Sequence, residues 1–338
     1  MGNKQAVACT IGAPCKINLH LAIGEKRPDG FHELESLFVP LDFHDSLRFE
    51  RGGKDGECSL EMNWEAPPEA VMSVIPPVIP TNKNLVWRAV SLFRERSGFK
   101  SGLFVRLDKR VPVGAGLGGG SSDAASCLLA LNALAGEALP MEELRKMAAV
   151  LGSDVPFFLG ADRIVYPSAD AACPSAAFVS GRGELVRAVK TPQGLWVLLV
   201  KPDFSSDTAG AFHVLDQTRE IMSREGKKSL LAMKKPPTDG IIKALEGEPE
   251  AWPFYNDFLP VFYASGDHQN ADQYRTILTM LKDAGASFAG LSGAGSCCFG
   301  IFKVREIAEK AEKKLRIPGN FVKLTFFLAN MTIPVLEY

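Results

Sequence analysis

The sequence predicts an α+β fold in two domains, and three observations carry that prediction. The chain has 338 residues, enough for two hydrophobic cores. Strand-like and helix-like stretches alternate without the regular period of a βαβ barrel. In the first half, an alternating run (102–108) leads through a glycine-dense loop (112–120) into a run of helix formers (121–135).

In chain order, Ile17, Leu19, Leu21 and Ile23 alternate with Lys16, Asn18, His20 and Ala22. This predicts a strand with one apolar and one polar face. Residues 35–42 and 46–50 predict two further strands. Residues 51–80, rich in Gly and Pro, predict a surface excursion. A helix is expected over 84–97. The helix after the glycine loop carries Ala125, Leu128, Leu129 and Leu131 at helical spacing. Ser121 or Ser122 suits its N-cap, and Asp123 its first turn. Residues 141–151 predict a helix closed by Gly152 as a C′ glycine. A change of composition at 167–174 divides the chain into domains 1–168 and 169–338. The second domain is expected to hold a buried strand (196–200), a helix (207–223) and a basic loop (224–237). A helix (272–284), a second glycine-rich loop (288–295), a strand (298–302), a helix (304–315) and a last strand (321–329) follow.

Composition narrows the function classes. Net charge is −1, so nothing points to nucleic acid or to an anionic membrane. No apolar run is long enough to span a bilayer, and the N-terminus lacks a signal-peptide core. Seven cysteines without a C-x-x-C pair favour reduced thiols and a cytoplasmic setting. The five histidines show no metal-ligand spacing, so no protein metal ligand is assigned.

A strand, a glycine loop and a helix together hold phosphate well. Glycines let the backbone approach an anion, free N–H groups point at it, and the helix dipole favours negative charge. No lysine follows the glycines, so this is not a Walker A loop. Gly114, Gly116 and Gly119 match G-x-G-x-x-G literally, but a lone match is weak support for a dinucleotide-binding oxidoreductase. Residues 136–140 lead into another helix and not into the second strand that reading needs. A turn that only packs a helix closely needs one or two glycines, whereas here five stand within 114–120. Lys16 taken alone is a solvated lysine on a sheet face. Asp154 taken alone is a turn or N-cap residue ahead of Pro156. A phosphoryl transferase needs a group to take the acceptor proton and a cation to offset charge. These two residues are suitable types, as are many others.

Three separated segments resemble the GHMP kinase superfamily: 112–125, 13–19 and 291–297. Within it the chain resembles the 4-diphosphocytidyl-2-C-methyl-D-erythritol kinases, whose Gly-Leu-Gly-Gly-Gly-Ser-Ser-Asp/Asn-Ala-Ala form stands here at 116–125. Four more blocks agree in order: 27–33, 152–158, 181–184 and 256–258. The resemblance implies a two-domain GHMP kinase fold with the active site in the cleft between domains. It implies ATP and Mg2+, and a cytidine diphosphate ester of methylerythritol phosphorylated on its 2-hydroxyl. Pro112, Val113, Gly114, Ala115, Gly116, Leu117, Gly118, Gly119, Gly120, Ser121 and Ser122 would hold the phosphates, with Asn84 and Leu85 near the adenine. Asp154 would be the general base with Lys16 beside it. Asn18, Phe31, His32, Phe212 and Gly293 would meet the acceptor, with Phe31 where the family often has Tyr. A homoserine or mevalonate kinase is the alternative, as is a catalytically silent nucleotide-binding module. The 30–33 block argues against the first, since those acceptors carry no nucleobase. Intact Lys16 and Asp154 argue against the second.

Overall fold

A computed structural model describes residues 6–65, 83–160, 175–224, 237–264 and 268–338. The chain opens with a long antiparallel pair, β1 (Ala8–Lys26) and β2 (His32–Arg51). Residues 35–50 form one strand and not the expected two, because His44 and Asp45 pair with Pro14 and Ala13 and the register shift at Pro14/Lys16 bends the pair without ending it. Next come β3 (Cys58–Trp64), α1 (Leu85–Ser97), β4 (Leu103–Lys109) and α2 (Gly119–Leu134). They are followed by α3 (Met141–Leu151), the short α4 (Val155–Phe158), β5 (Ala177–Gly181) and β6 (Leu185–Ala188). The first sheet runs β11–β1–β2–β4–β3, with β5 paired to β2 and β6 to β5. Here β3 pairs parallel to β4, so the expected excursion at 51–80 contains a strand at Cys58–Trp64, and 66–82 lie outside the described residues.

The later elements are β7 (Trp196–Lys201), α5 (Thr208–Arg224), α6 (Thr238–Ala244), α7 (Phe258–Ala264) and α8 (His268–Asp283). After them come β8 (Phe288–Leu291), β9 (Cys298–Phe302), α9 (Arg305–Leu315), β10 (Phe321–Phe326) and β11 (Val335–Glu337). A second sheet has the order β10–β7–β9–β8. The basic loop lies outside the described residues apart from its ends, as does the expected boundary at 168/169. Beyond that boundary, β5 pairs with β2 and β11 with β1, so residues 177–188 and 335–337 belong to the first sheet.

Local chemistry sets the ends that matter for the site. Asn84 caps α1, its side-chain oxygen accepting from Val86 N at 2.9 Å. The cap of α2 is Gly118, in the left-handed region at φ 69°, and not Ser121 or Ser122. The helix thus starts three residues earlier than expected and reaches back into the loop. Its twelve buried residues, Ser122 to Asn132 and Leu134, place it in the core. There its apolar residues pack with those of α1, α3, α4 and one face of the first sheet. Gly152, expected in the left-handed region, is extended at φ 171°. The other face of the sheet packs on the second sheet through Ile17, Leu19, Val39, Val197 and Phe299.

That two-sided packing corrects the reading of β1. Its polar face is not solvated, and Lys16, Asn18 and His20 are all buried. Register shifts at Pro14/Lys16 and Asn18/His20 mark bulges on either side of Lys16 to Asn18. Bulges of this kind bend a strand and re-aim its side chains.

Candidate active site

The strand β4, the glycine loop and α2 frame a cavity of about 440 Å³. It is lined by Lys16, Asn18, Asn84, Leu85, the loop from Pro112 to Ser121, and Asp154. Thr208, Phe212, Phe258, Gly293 and Ala294 line it from the later part of the chain. The structure therefore brings together most of the residues singled out from sequence. Ser122 is fully buried beneath the loop, and Phe31 and His32 lie outside the lining.

The loop's backbone is arranged with its acceptors turned into the protein. Gly114 O accepts from Ser206 N (3.0 Å), Ala115 O from Cys297 N (3.1 Å) and Gly116 O from Ser292 Oγ (2.8 Å). Leu117 O accepts from Lys16 N (2.9 Å) and Gly118 O from Ser122 N (2.9 Å). Among the described residues, no hydrogen bond uses the backbone N–H groups of 113–118. Satisfied carbonyls and unsatisfied N–H groups beside a helix N-terminus make an anion site. The glycines are needed because Gly114, Gly116 and Gly118 all sit at positive φ. At Gly116 a Cβ would also run into the backbone carbonyl of Ser292.

The second glycine loop, 292–297, supplies two of those donors, Ser292 Oγ and Cys297 N. It is held in turn by Asn256, whose Nδ2 donates to Leu291 O and Gly293 O, each at 2.8 Å. This explains why 256–258 accompanies the glycine loops in sequence. Residues 181–184 have a similar supporting role. Gly183, at φ 125°, lies so close to Ser153 that a Cβ would meet its carbonyl oxygen at 2.5 Å. The turn carrying Asp154 is thus pinned from outside.

At the mouth of the loop, Lys16 Nζ lies 3.4 Å from Asp154 Oδ2 and donates to Asn18 Oδ1 at 2.5 Å. It also sits 4.4 Å above the Phe38 ring. Asn18 Nδ2 donates to Ser36 Oγ at 2.9 Å, so the asparagine is fixed on both sides. Asp154 stands at the start of α4 but makes no capping bond, and its side chain is 31% exposed. The turn-residue reading therefore does not account for its carboxylate.

The residues expected to meet a base are arranged less simply. His32 stacks on Phe212 with centroids 5.1 Å apart and ring planes at 20°. Its Nε2 lies 2.8 Å from Asp216 Oδ1, and Asp216 Oδ2 accepts from Lys26 at 2.8 Å. Burial raises the Asp216 carboxyl, but these bonds outweigh it and hold the group below its usual range. Phe31 is half exposed, with the Arg182 guanidinium 4.4 Å above its ring.

Sequence reasoning missed one cluster. Lys109 at the end of β4, Asp45 on β2 and Asp123 on α2 are buried together below the loop. Lys109 Nζ donates to Asp45 Oδ2, and to Asp123 Oδ2 at 2.7 Å. Burial pushes the Asp123 carboxyl up to about 8; Lys109 opposes the shift and Asp45 adds to it. The available signal was Asp123, the one charge in α2, whereas Asp45 and Lys109 stand among other charges in β2 and β4 and their separation in sequence hid the meeting.

Residues 84–161 match the family described as GHMP kinases N terminal domain, and 270–320 match GHMP kinases C terminal. A curated 4-diphosphocytidyl-2-C-methyl-D-erythritol kinase of Nitratidesulfovibrio vulgaris is 37% identical over 311 residues. That match covers 91% of this chain and 95% of the relative. One from Burkholderia mallei is 36% identical over 307 residues, covering 90% and 88%. A crystal structure of 4-(cytidine 5'-diphospho)-2C-methyl-D-erythritol kinase superposes with a TM-score of 0.67 at 26% identity, covering 94% of this chain and 98% of that one. Homoserine kinase from Cytophaga hutchinsonii has the same fold, with a TM-score of 0.64 at 15% identity and 99% of both chains covered. Among the described residues, no helix is long and apolar enough to cross a membrane.

Proposed function

The chain belongs to the 4-diphosphocytidyl-2-C-methyl-D-erythritol kinase family of the GHMP kinases, and on that premise we propose how its cavity transfers the γ-phosphoryl group of ATP to the 2-hydroxyl of that cytidylyl alcohol. The observation that carries the proposal is the glycine loop, with the carbonyls of 114–118 engaged by the protein and the N–H groups of 113–118 left for an anion. In this reading the ATP phosphates lie on that loop and on the start of α2, with the adenine toward Asn84 and Leu85. In this reading the cavity is the cleft between domains, which its lining by residues from both the earlier and the later part of the chain supports.

Asp154 accepts the proton of the acceptor hydroxyl as the oxygen attacks the γ-phosphorus. Its bond to the β-phosphate oxygen breaks, and ADP leaves. Lys16 orients the Asp154 carboxylate and places positive charge beside the transferring group. Asn18 holds the lysine in that direction. When bound, Mg2+ would offset charge on the phosphates. Among the described residues, no group of three or more His, Cys, Asp or Glu could hold a metal. Phosphate oxygens and waters would supply much of its coordination, since Mg2+ usually keeps several waters. A cytoplasmic setting suits the cysteines, six of which are free among the described residues. The deciding assay is ADP release from ATP, Mg2+ and a panel of acceptor alcohols. Turnover with the cytidylyl alcohol and none with homoserine or mevalonate is expected. Turnover only with one of the latter would overturn the assignment.

Recognition of the base gives a second test. Phe31 offers a flat face, and His32, held between Phe212 and Asp216, offers a polar edge. Phe31→Ala should raise KM for the cytidylyl substrate by the worth of one stacked base, about 1–3 kcal/mol. KM for ATP and the melting temperature should hold, because Phe31 is 48% exposed. His32→Ala should raise the same KM, with some loss of stability from its broken stack on Phe212 and hydrogen bond to Asp216. Equal rises in both KM values for Phe31→Ala would mean a damaged fold and would remove the residue from base recognition.

A further inference from the structure

We propose that Asp45, Lys109 and Asp123 form a buried clamp across the base of the phosphate loop and act as positioning residues for ATP. The proposal rests on the reading of that loop as the phosphate site. Lys109 is the last residue of β4, immediately before the loop, and Asp123 lies in α2, immediately after it. Their bond of 2.7 Å joins the two strands of chain where they enter and leave the loop. Asp45 holds the entry side a second time. Its Oδ1 accepts from Arg110 N at 2.6 Å and from Val111 N at 2.8 Å. On the exit side its Oδ2 lies 3.5 Å from where a Cβ on Gly119 would stand, so the first residue of α2 packs against it.

Burial makes the arrangement demanding. Asp45 is 0% exposed, and Lys109 and Asp123 are each 3% exposed. Buried ion clusters contribute little to stability compared with an apolar core of the same volume. What such a cluster supplies is fixed geometry, because removing a partner leaves an uncompensated group. This cluster also reaches the site, since Lys109 and Asp123 line the cavity wall. Asp123 Oδ1 has no hydrogen-bond partner among the described residues. The loop's N–H groups can meet three phosphates together only if both ends of the loop are held at a fixed separation.

The test is calorimetric ATP binding with Mg2+, alongside KM for 4-diphosphocytidyl-2-C-methyl-D-erythritol, for the wild type, Asp123→Ala, Asp123→Asn and Gly118→Val. Asp123→Ala should raise the ATP Kd about tenfold, the scale of one charge-assisted contact. Acceptor KM should stay within about twofold, a split that a merely structural role does not produce. Asp123→Asn should restore ATP affinity to within about threefold, since its amide oxygen still accepts from Lys109. Should the alanine variant fail to fold, Asp123→Ser, too short to reach the ammonium, carries the same expectation. Wild-type ATP affinity in a folded Ala or Ser variant, or parallel loss of both substrates, overturns the clamp alone when Gly118→Val weakens ATP. Unchanged ATP affinity in Gly118→Val overturns the phosphate-site reading and the clamp with it.

Discussion

Asp154→Asn should lower kcat by about 10²–10⁴-fold, the usual worth of a positioned acid–base group. Asparagine has nearly the same shape, so the turn ahead of α4 and the approach of Gly183 to Ser153 should survive. The amide can still meet Lys16, but it cannot take a proton from the acceptor hydroxyl. KM for ATP should change little, because the loop's contacts do not involve this side chain. The melting temperature should also hold, since the carboxylate makes no capping bond and is 31% exposed. Single-turnover kinetics on the folded variant are the measurement. Turnover near the wild-type value would remove Asp154 from the mechanism. A variant that loses stability together with affinity for both substrates would assign it to the turn.

Gly118→Val should weaken ATP binding by about ten- to a hundredfold while acceptor binding changes little. The backbone there is at φ 69°, a region that β-branched residues strongly avoid. A Cβ would lie 3.0 Å from Phe158 Cζ and 3.1 Å from Lys16 Cε, so the new side chain presses on the lysine as well. Turnover at saturating ATP should therefore fall too, because Lys16 is moved away from Asp154. Calorimetry on the folded variant separates the two effects. Full ATP affinity would place the phosphates elsewhere.

Much of the site could be read from the sequence because its signals are local. Five glycines within 114–120, next to a strand pattern and a helix pattern, are a property of neighbouring residues. So are the cap at Asn84 and the helix at 141–151. Lys16 and Asp154 could be paired only through the family resemblance, since no pattern along the chain links residues 138 positions apart. The helix cap was misplaced for a local reason. Serine at 121 and 122 satisfies the usual preference, but a left-handed glycine lets the helix begin earlier.

The tertiary structure decided what depends on which surfaces meet. β1 looks half solvated because it alternates, yet both faces are covered: the second sheet packs on Ile17 and Leu19, while Lys16, Asn18 and His20 are buried on the other side against Phe38, Ser36 and Tyr255. A buried lysine with fixed partners is a different chemical object from a solvated one. The strands at 177–188 and 335–337 join the first sheet because edge pairing is set by backbone hydrogen bonds, which carry little sequence signal. Asp45, Lys109 and Asp123 are unremarkable in sequence for the same reason. Asp123 is the one charge in α2, Asp45 and Lys109 stand among other charges in β2 and β4, and only packing of these three elements brings them within bonding distance. The sequence determined the glycine loop between strand and helix and the kinase family. Packing decided which charges are buried beside that loop, because burial is a property of the layers that cover a residue and not of the residue itself.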